Sequence, residues 1–366
     1  MVDKLSLARK TIDEVDKKMA ELFLERMEAV RLVAEYKKEK GLPIFDPERE
    51  EQVIKKNSAY LDGADTEIRE SYVKFLRETM AVSRHYQSRL TEGMKIAYSG
   101  SEGAFAHIAA GKIFPSANRV GYKNFREAYD AVVGGECDAV VLPIENSSAG
   151  EVGAVADILF SGPLYINGTY DLAIIQDLLV LPGADVSKIK TVVSHPQALS
   201  QCAEYIKAKG YNTHEFANTA LAAEYVASLG DPEVAAIASE EAGAKYGLTV
   251  AARAVNEAAN NTTRFAVLSA SRLRLPEARG MNMRFILMFT VKNEAGSLAR
   301  AIEIIGKYGF NMQSLRSRPM KKLLWQYYFY IESEGNIDTE NGEAMMRELS
   351  GLCDRLKLVG SYQNSY

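Results

Sequence analysis

The chain has 366 residues, 47% hydrophobic and 25% charged, with a formal charge of −4. That length exceeds what one compact core holds, so two or three domains of roughly 100–200 residues are expected. The charge balance excludes a polycationic face for nucleic acid or lipid, and no apolar run approaches the roughly 18 residues that span a bilayer. The N-terminus lacks the basic-then-apolar pattern of a signal peptide, so a cytoplasmic protein with neither nucleic-acid nor membrane partners is expected. Cys137, Cys202 and Cys353 are scattered and odd in number, which argues against a disulfide framework or a CxxC metal site; no cofactor and no metal are expected.

Residues 1–92 read as helical. Leu5, Ala8, Ile12, Val15, Met19, Leu22, Ala29 and Val33 recur at three- and four-residue steps, predicting one amphipathic helix of roughly 50 Å that Gly41 and Pro43 end. Asp46 before Pro47 is suited to cap a second helix, with proline at its first position. A third is predicted from about Thr66 to Leu90, with Ile68, Tyr72, Phe75, Leu76, Thr79 and Met80 inward. The first helix is too long to bury its stripe against two shorter ones, so dimerisation through it is expected.

From Met94 to about Ser269, strand-like runs (Ile96–Tyr98, Ala139–Ile144, Leu172–Leu181, Thr191–Ser194, Val234–Ala238, Phe265–Leu268) alternate with helical ones such as Phe125–Val133 and Ser200–Lys209. This is an α/β pattern long enough for two lobes, with Gly162-Pro163 and the Leu172–Leu181 run as places to cross between them. After a Leu275–Gly280 linker the order becomes strand (Phe285–Val291), helix (Leu298–Tyr308), strand (Met312–Ser317), strand (Gln326–Ile331), helix (Glu343–Leu352), strand (Lys357–Val359), the βαββαβ order of ferredoxin-like folds.

The helical part carries cations where a core belongs. Arg26 lies seven residues after Met19 on the apolar stripe, and Lys37 follows eleven residues later on the same face, about 16 Å on. Two long side chains leaning together can grip a small dianion. Ser83 and Gln87 continue the stripe of Thr79 and Met80 on the third helix, and a polar seam facing a basic one predicts a buried anion site. With Arg9, Asp46 and Glu50, these residues match in order and spacing the pattern of the all-helical chorismate mutases, which the segment resembles. The resemblance implies a pericyclic rearrangement of chorismate to prephenate, needing no nucleophile or proton relay. Lys37 and Gln87 would act catalytically at the ether oxygen. Arg9 and Arg26 would bind the two carboxylates, Glu50 and the Asp46 backbone the ring hydroxyl, and Ser83 would assist. Arg9 is about 25 Å along the helix from Arg26, so it would come from a partner chain in a homodimer or dimer-based homo-oligomer.

Residues 94–270 carry Gly100-Ser101-Glu102-Gly103-Ala104-Phe105-Ala106-His107, Leu142-Pro143-Ile144-Glu145-Asn146-Ser147, Ser194-His195-Pro196-Gln197-Ala198-Leu199, Asn218-Thr219-Ala220 and Asn261-Thr262-Thr263-Arg264-Phe265. Most fall where a strand ends and a helix begins, which suits a dicarboxylate. In this order they resemble the prephenate dehydratases. The resemblance implies expulsion of a ring hydroxyl with carbon dioxide, Thr263 as catalytic hydrogen-bond donor, and Glu145, Asn146, Ser147 and Arg264 as substrate-binding residues. His195 before Pro196 reads as a turn cap rather than an acid. Ala104 and Ala106 stand where the family usually has hydroxyl residues, and Gln176 where it commonly has histidine; these departures imply binding that relies more on backbone amides, or a dehydratase that is slow or shifted toward a related substrate such as arogenate.

Residues 283–360 resemble an ACT domain of the phenylalanine-sensing kind through Gly296-Ser297-Leu298 and Ser317-Arg318-Pro319, with Trp325 following. All six motif residues would bind an effector, phenylalanine by resemblance, although Arg316 takes the place of the family's glutamate. The fold expected is therefore multidomain: an all-α three-helix chorismate mutase domain (1–92), a two-lobed α/β, periplasmic-binding-protein-like prephenate dehydratase domain (94–272) and an α+β ferredoxin-like ACT regulatory domain (281–362). The function implied is a bifunctional enzyme of phenylalanine biosynthesis, acting on chorismate and prephenate under feedback control. Two alternatives stay open on the residues: a mutase whose α/β and ACT parts only bind ligand, and an arogenate-preferring dehydratase.

Overall fold

The computed structural model describes residues 3–258, 260–274, 282–320 and 326–363. It divides into two compact units, Met1–Met94 and Lys95–Tyr366. The Leu275–Gly280 linker and Trp325 lie outside the described residues.

The first unit is three helices, α1 (Lys4–Lys40), α2 (Pro47–Ser58) and α3 (Thr66–Glu92). Gly41 ends α1 at φ +64°, and the Asp46 carboxylate caps α2 by accepting from the Arg49 amide at 3.0 Å. Within the chain α1 buries only its later turns, where Ala34 is enclosed and Arg26, Val30 and Lys37 are half-buried. Its N-terminal stripe lies open: Leu5, Ile12, Val15, Met19 and Leu22 are between 44% and 63% exposed. Of the six side chains expected to point inward from α3, Met80 is buried, Tyr72, Leu76 and Thr79 are half-buried, and Ile68 and Phe75 are exposed. The inner face is instead completed by Ser83 and Gln87, because α1 and α2 cover only part of a 27-residue helix.

The second unit begins with β1 (Lys95–Ser99), α4 (Phe105–Ile113), β2 (Asn118–Tyr122), α5 (Phe125–Val133), β3 (Ala139–Asn146), β4 (Gly150–Glu151), α6 (Gly153–Ser161) and β5 (Tyr165–Ala173). A second lobe follows: β6 (Asp177–Val180), β7 (Thr191–Ser194), α7 (Pro196–Gln201), α8 (Ala203–Lys209), β8 (Asn212–Glu215), α9 (Thr219–Leu229), β9 (Val234–Ala238), α10 (Glu240–Tyr246) and β10 (Thr249–Ala252). The chain then returns to the first lobe as β11 (Thr262–Ser269). The lobes have separate sheets, with β1 parallel to both β2 and β3 in the first and β7 parallel to both β8 and β9 in the second.

Two expected elements are divided. The Leu172–Leu181 run is the end of β5 and all of β6, in different sheets, with 174–176 crossing between them. It reads as one apolar run because Leu172 is buried in one lobe and Leu178, Leu179 and Val180 in the other. The Ser200–Lys209 helix is broken at Cys202 (φ −115°, ψ 18°), which separates α7 from α8.

The remainder is β12 (Met283–Thr290), α11 (Ser297–Lys307), β13 (Asn311–Pro319), β14 (Tyr327–Glu334), α12 (Glu340–Leu352) and β15 (Arg355–Gln363), the expected βαββαβ order. Alternation along β12 serves two cores at once. Phe285, Leu287 and Phe289 pack with Ala301, Ile305, Met345 and Leu349 of the covering helices. Ile286 and Met288 face the first lobe with Leu159, Phe160 and Tyr328. Strand β15 meets β5 at Gly360 and Ile166, joining the two sheets into one. A Cβ at Gly360 would lie 2.0 Å from the Ile166 carbonyl oxygen, so only glycine permits this approach.

Candidate functional site

The helical unit holds a cavity of about 210 Å³ lined by Arg26, Lys37, Asp46, Glu50, Ser83 and Gln87, six of the seven residues singled out in that segment. Arg9 is exposed and does not line it. Each wall follows from helical periodicity. Arg26 and Lys37 are eleven residues apart and Ser83 and Gln87 four apart, so each pair shares a face. Arg26 donates to the Ser83 hydroxyl, which in turn donates to the Thr79 carbonyl at 2.8 Å. Burial lowers the Arg26 pKa from its ordinary value, yet a guanidinium stays charged at any physiological pH. The Lys37 ammonium donates to the Ile44 carbonyl at 2.6 Å, which aims it across the start of α2. Gln87 is 7% exposed, and among the described residues nothing donates to its Oε1. Arg49 and Arg84, which sequence reasoning passed over, also line the cavity. Arg84 pairs with Glu50 and lies 5.3 Å from the Phe45 ring centre. Its place next to Ser83 was the available signal.

In the second unit a cavity of about 420 Å³ is lined by residues of both lobes, among them Ala104, Ala106, Asn146, Gln176, His195 and Thr263. The first turns of α4, α7 and α9 border it through Phe105, Gln197 and Thr219. Asn218 caps α9 by accepting from the Leu221 amide at 2.7 Å, whereas Ala104 has no side-chain oxygen to cap α4. The first amides of α4 therefore stay available to an anion.

Asn146 organises the floor. Its Nδ2 donates to Thr263 Oγ1 and to Asn261 Oδ1, each at 2.9 Å, and its Oδ1 accepts from the Ser148 and Ala149 amides at 3.0 and 2.9 Å. Thr263 is thus an acceptor toward Asn146 and keeps its own proton for another partner. The His195 Nδ1 accepts from the Gln197 amide at 3.2 Å, so it caps α7 as the sequence suggests while also lining the cavity. Burial lowers the His195 pKa, with Glu215 opposing, so the ring is neutral near pH 7 and carries its proton on Nε2.

Three residues expected to bind substrate lie outside this cavity. Arg264 follows Thr263 on β11, so strand alternation sends it to the other face, where it pairs with both Asp171 oxygens at 2.8 and 2.9 Å. Glu145 pairs with Arg316 at 2.5 Å. The Ser147 hydroxyl donates to the Asn260 carbonyl at 3.2 Å and accepts from the Thr262 amide at 2.9 Å.

A third cavity, about 320 Å³, lies in the βαββαβ part, lined by Asn293, Glu294, Leu298, Tyr327 and Phe329 among others. Of the six expected effector-binding residues only Leu298 lines it. Gly296 (φ +82°) and buried Ser297 open α11 beside it. Ser317, Arg318 and Pro319 lie on β13, and Arg318 reaches Glu151 and Asp157 of the first lobe at 3.4 Å. The spacing of Ser-Arg-Pro held no sign that its arginine faces another domain. Among the described residues no group of three or more His, Cys, Asp or Glu side chains is placed to hold a metal ion, and no helix is long and apolar enough to cross a membrane.

Comparison with known proteins agrees with this division. Residues 8–88 match the family model for chorismate mutase type II, and residues 96–272 that for prephenate dehydratase. A bifunctional chorismate mutase/prephenate dehydratase of Aquifex aeolicus is 31% identical over 99% of this chain and 98% of its own. The chloroplastic arogenate dehydratase/prephenate dehydratase 2 of Arabidopsis thaliana is 30% identical over 84% of each chain. A crystal structure of prephenate dehydratase from Arthrobacter aurescens, in complex with L-Phe, is 26% identical and superposes with a TM-score of 0.68 over 74% of this chain and 90% of that one. With both catalytic segments present in one chain and a full-length relative sharing nearly a third of its residues, the chain belongs to the bifunctional chorismate mutase/prephenate dehydratase family.

Proposed function

We propose that residues 1–92 rearrange chorismate to prephenate, that residues 94–272 convert prephenate to phenylpyruvate, and that residues 281–362 form an ACT domain through which phenylalanine inhibits the enzyme in the cytoplasm. The observation that carries the reading is the pair of cavities, each furnished for one reaction.

In the helical cavity Arg26 binds a carboxylate, and Lys37 with the Gln87 amide stabilises negative charge growing on the ether oxygen as the C–O bond breaks. Glu50 and the Asp46 backbone hold the ring hydroxyl, and Ser83 orients Arg26. The second carboxylate requires Arg9. Because that residue stands far along α1 from the cavity of its own chain, a second copy supplies it, and the open Leu5–Leu22 stripe buries itself in the same homodimer.

In the two-lobed cavity the helix N-termini hold the substrate's carboxylates. The ring carboxylate leaves as carbon dioxide, its bonding pair enters the ring, and the hydroxyl departs with its own bonding pair as hydroxide, which takes a proton from solvent to become water. Thr263 donates its free proton in a hydrogen bond to that oxygen, and Asn146 fixes the direction of the donation. For the effector, the cavity beside Gly296 and Leu298 supports a small amino acid, in keeping with the L-Phe complex of the Arthrobacter aurescens relative.

Incubation of the purified chain with chorismate at neutral pH, without metal or nucleotide, tests the reading by chromatography of the products. Phenylpyruvate is expected. Prephenate that accumulates without it would reduce the α/β unit to a ligand-binding module, and unchanged chorismate would remove both activities.

A further inference from the structure

The charge lining the two-lobed cavity has the wrong sign for a dicarboxylate. Among the described residues that line it there is no arginine or lysine, and its two ionisable side chains are Glu151 and His195, the latter neutral near pH 7. Under the proposed function, on which this inference rests, the substrate is a dianion. The positive ends of α4 and α9 offer it roughly half an elementary charge each, which one uncancelled carboxylate on the wall would offset.

The cation that meets Glu151 comes from the βαββαβ part. Arg318 Nη1 on β13 lies 3.4 Å from Glu151 Oε2, and Arg318 Nε lies 3.4 Å from Asp157 Oδ1, which also accepts from the Tyr328 hydroxyl at 2.8 Å. Strand geometry sets this up. Glu145 and Glu151 stand directly opposite each other on β3 and β4, where like charges repel. Arg316 and Arg318 are two residues apart on β13 and share a face, so Arg316 takes Glu145 while Arg318 takes Glu151. Gly153 makes the room: a Cβ there would lie 2.3 Å from Arg318 Nη1, so the guanidinium passes over the first turn of α6. Between the two glutamates the hairpin carries Asn146, which directs the Thr263 proton, and Ala149 and Gly150 of the cavity wall.

We infer that Arg318 is a positioning residue of the dehydratase: it cancels the Glu151 carboxylate and holds the β3–β4 hairpin in place, which makes the cavity wall fit for a dianion. The C-terminal part thereby completes the dehydratase site, besides any effector it carries. A charge on that wall acts over roughly 8 Å in physiological salt, so Glu151 needs no contact with the substrate to be felt.

The test measures kcat and KM of the full chain for supplied prephenate, together with Tm. Arg318→Gln is expected to raise KM by about tenfold while kcat changes by less than about threefold. Arg318→Lys keeps the charge and is expected to stay within about threefold of the unaltered KM. Glu151→Gln is expected to lower KM by about two- to threefold, and in combination to bring the Arg318→Gln value back to within about threefold of the unaltered chain. A pair that only braces the fold behaves differently, since loss of either partner then lowers Tm and leaves KM where it was. Should Arg318→Gln fail to fold, Glu151→Gln decides alone, because it leaves the arginine in place. A KM that Glu151→Gln does not lower, that Arg318→Gln does not raise, or that Arg318→Lys raises as much as Arg318→Gln, overturns the inference and leaves the dehydratase reading standing. An unaltered chain that does not turn over prephenate overturns both.

Discussion

The Thr263 hydroxyl accepts a hydrogen bond from the Asn146 amide at 2.9 Å. Both Asn146 nitrogen protons are taken by Thr263, Asn261 and Thr262, and its oxygen by two loop amides, so the asparagine cannot turn to become the acceptor. The threonine proton is thereby directed at whatever fills the cavity.

Thr263→Val keeps the shape and removes that donor. Dehydratase kcat is expected to fall by about 10²–10³, the usual cost of one transition-state donor, while mutase rates stay within twofold. Asn146→Ala should lower the dehydratase rate too, because Thr263 then loses its orientation. Separate assays with supplied chorismate and supplied prephenate check this, and an equal fall in both activities would contradict separate sites.

A mutase site completed by a second chain predicts complementation. Arg9→Ala and Lys37→Ala should each abolish most mutase activity. Denatured and refolded together in equal amounts, they should recover about a quarter of the normal rate, since half the dimers are mixed and each mixed dimer holds one intact site. A mixture no more active than its components would place Arg9 outside the site.

Burial holds the His195 pKa below its ordinary value, so the unfolded chain binds more protons than the folded one between the lowered value and about 6.5. Stability from this group is fully present above that window and is lost as pH falls through it. His195→Gln should therefore lose less Tm between pH 7 and pH 5 than the unaltered chain, with the two curves converging at low pH. Parallel curves would show that the ring does not titrate in this way.

Arg316 faces Glu145 at 2.5 Å and lies 5.4 Å from the Tyr330 ring centre. Arg316→Glu puts two carboxylates together and should lower Tm more than Arg316→Ala. Adding Glu145→Arg to it should restore part of the loss. The pair is partly exposed, so a coupling of about 1 kcal/mol is expected from the double-mutant cycle. A coupling indistinguishable from zero would make the contact incidental.

Much of this molecule was legible in the order of its residues. A helix repeats every 3.6 residues and a strand every two, so periodicity alone assigns Arg26, Lys37, Ser83 and Gln87 to facing seams and gives the βαββαβ order of the C-terminal part. The same local rules held for Asp46 as a cap and His195 as a cap, since capping involves only neighbours in sequence.

Only the folded chain decided matters that depend on residues far apart. Neighbouring motif residues alternate between strand faces, so Asn146 and Thr263 enter the cavity while Glu145 and Arg264 turn to Arg316 and Asp171. The Leu172–Leu181 run is divided because two cores claim its ends, and Arg318 is drawn from the expected effector site by carboxylates more than 150 residues away in sequence. Local periodicity says which side chains share a face; which partner that face meets is settled by packing and charge at long range.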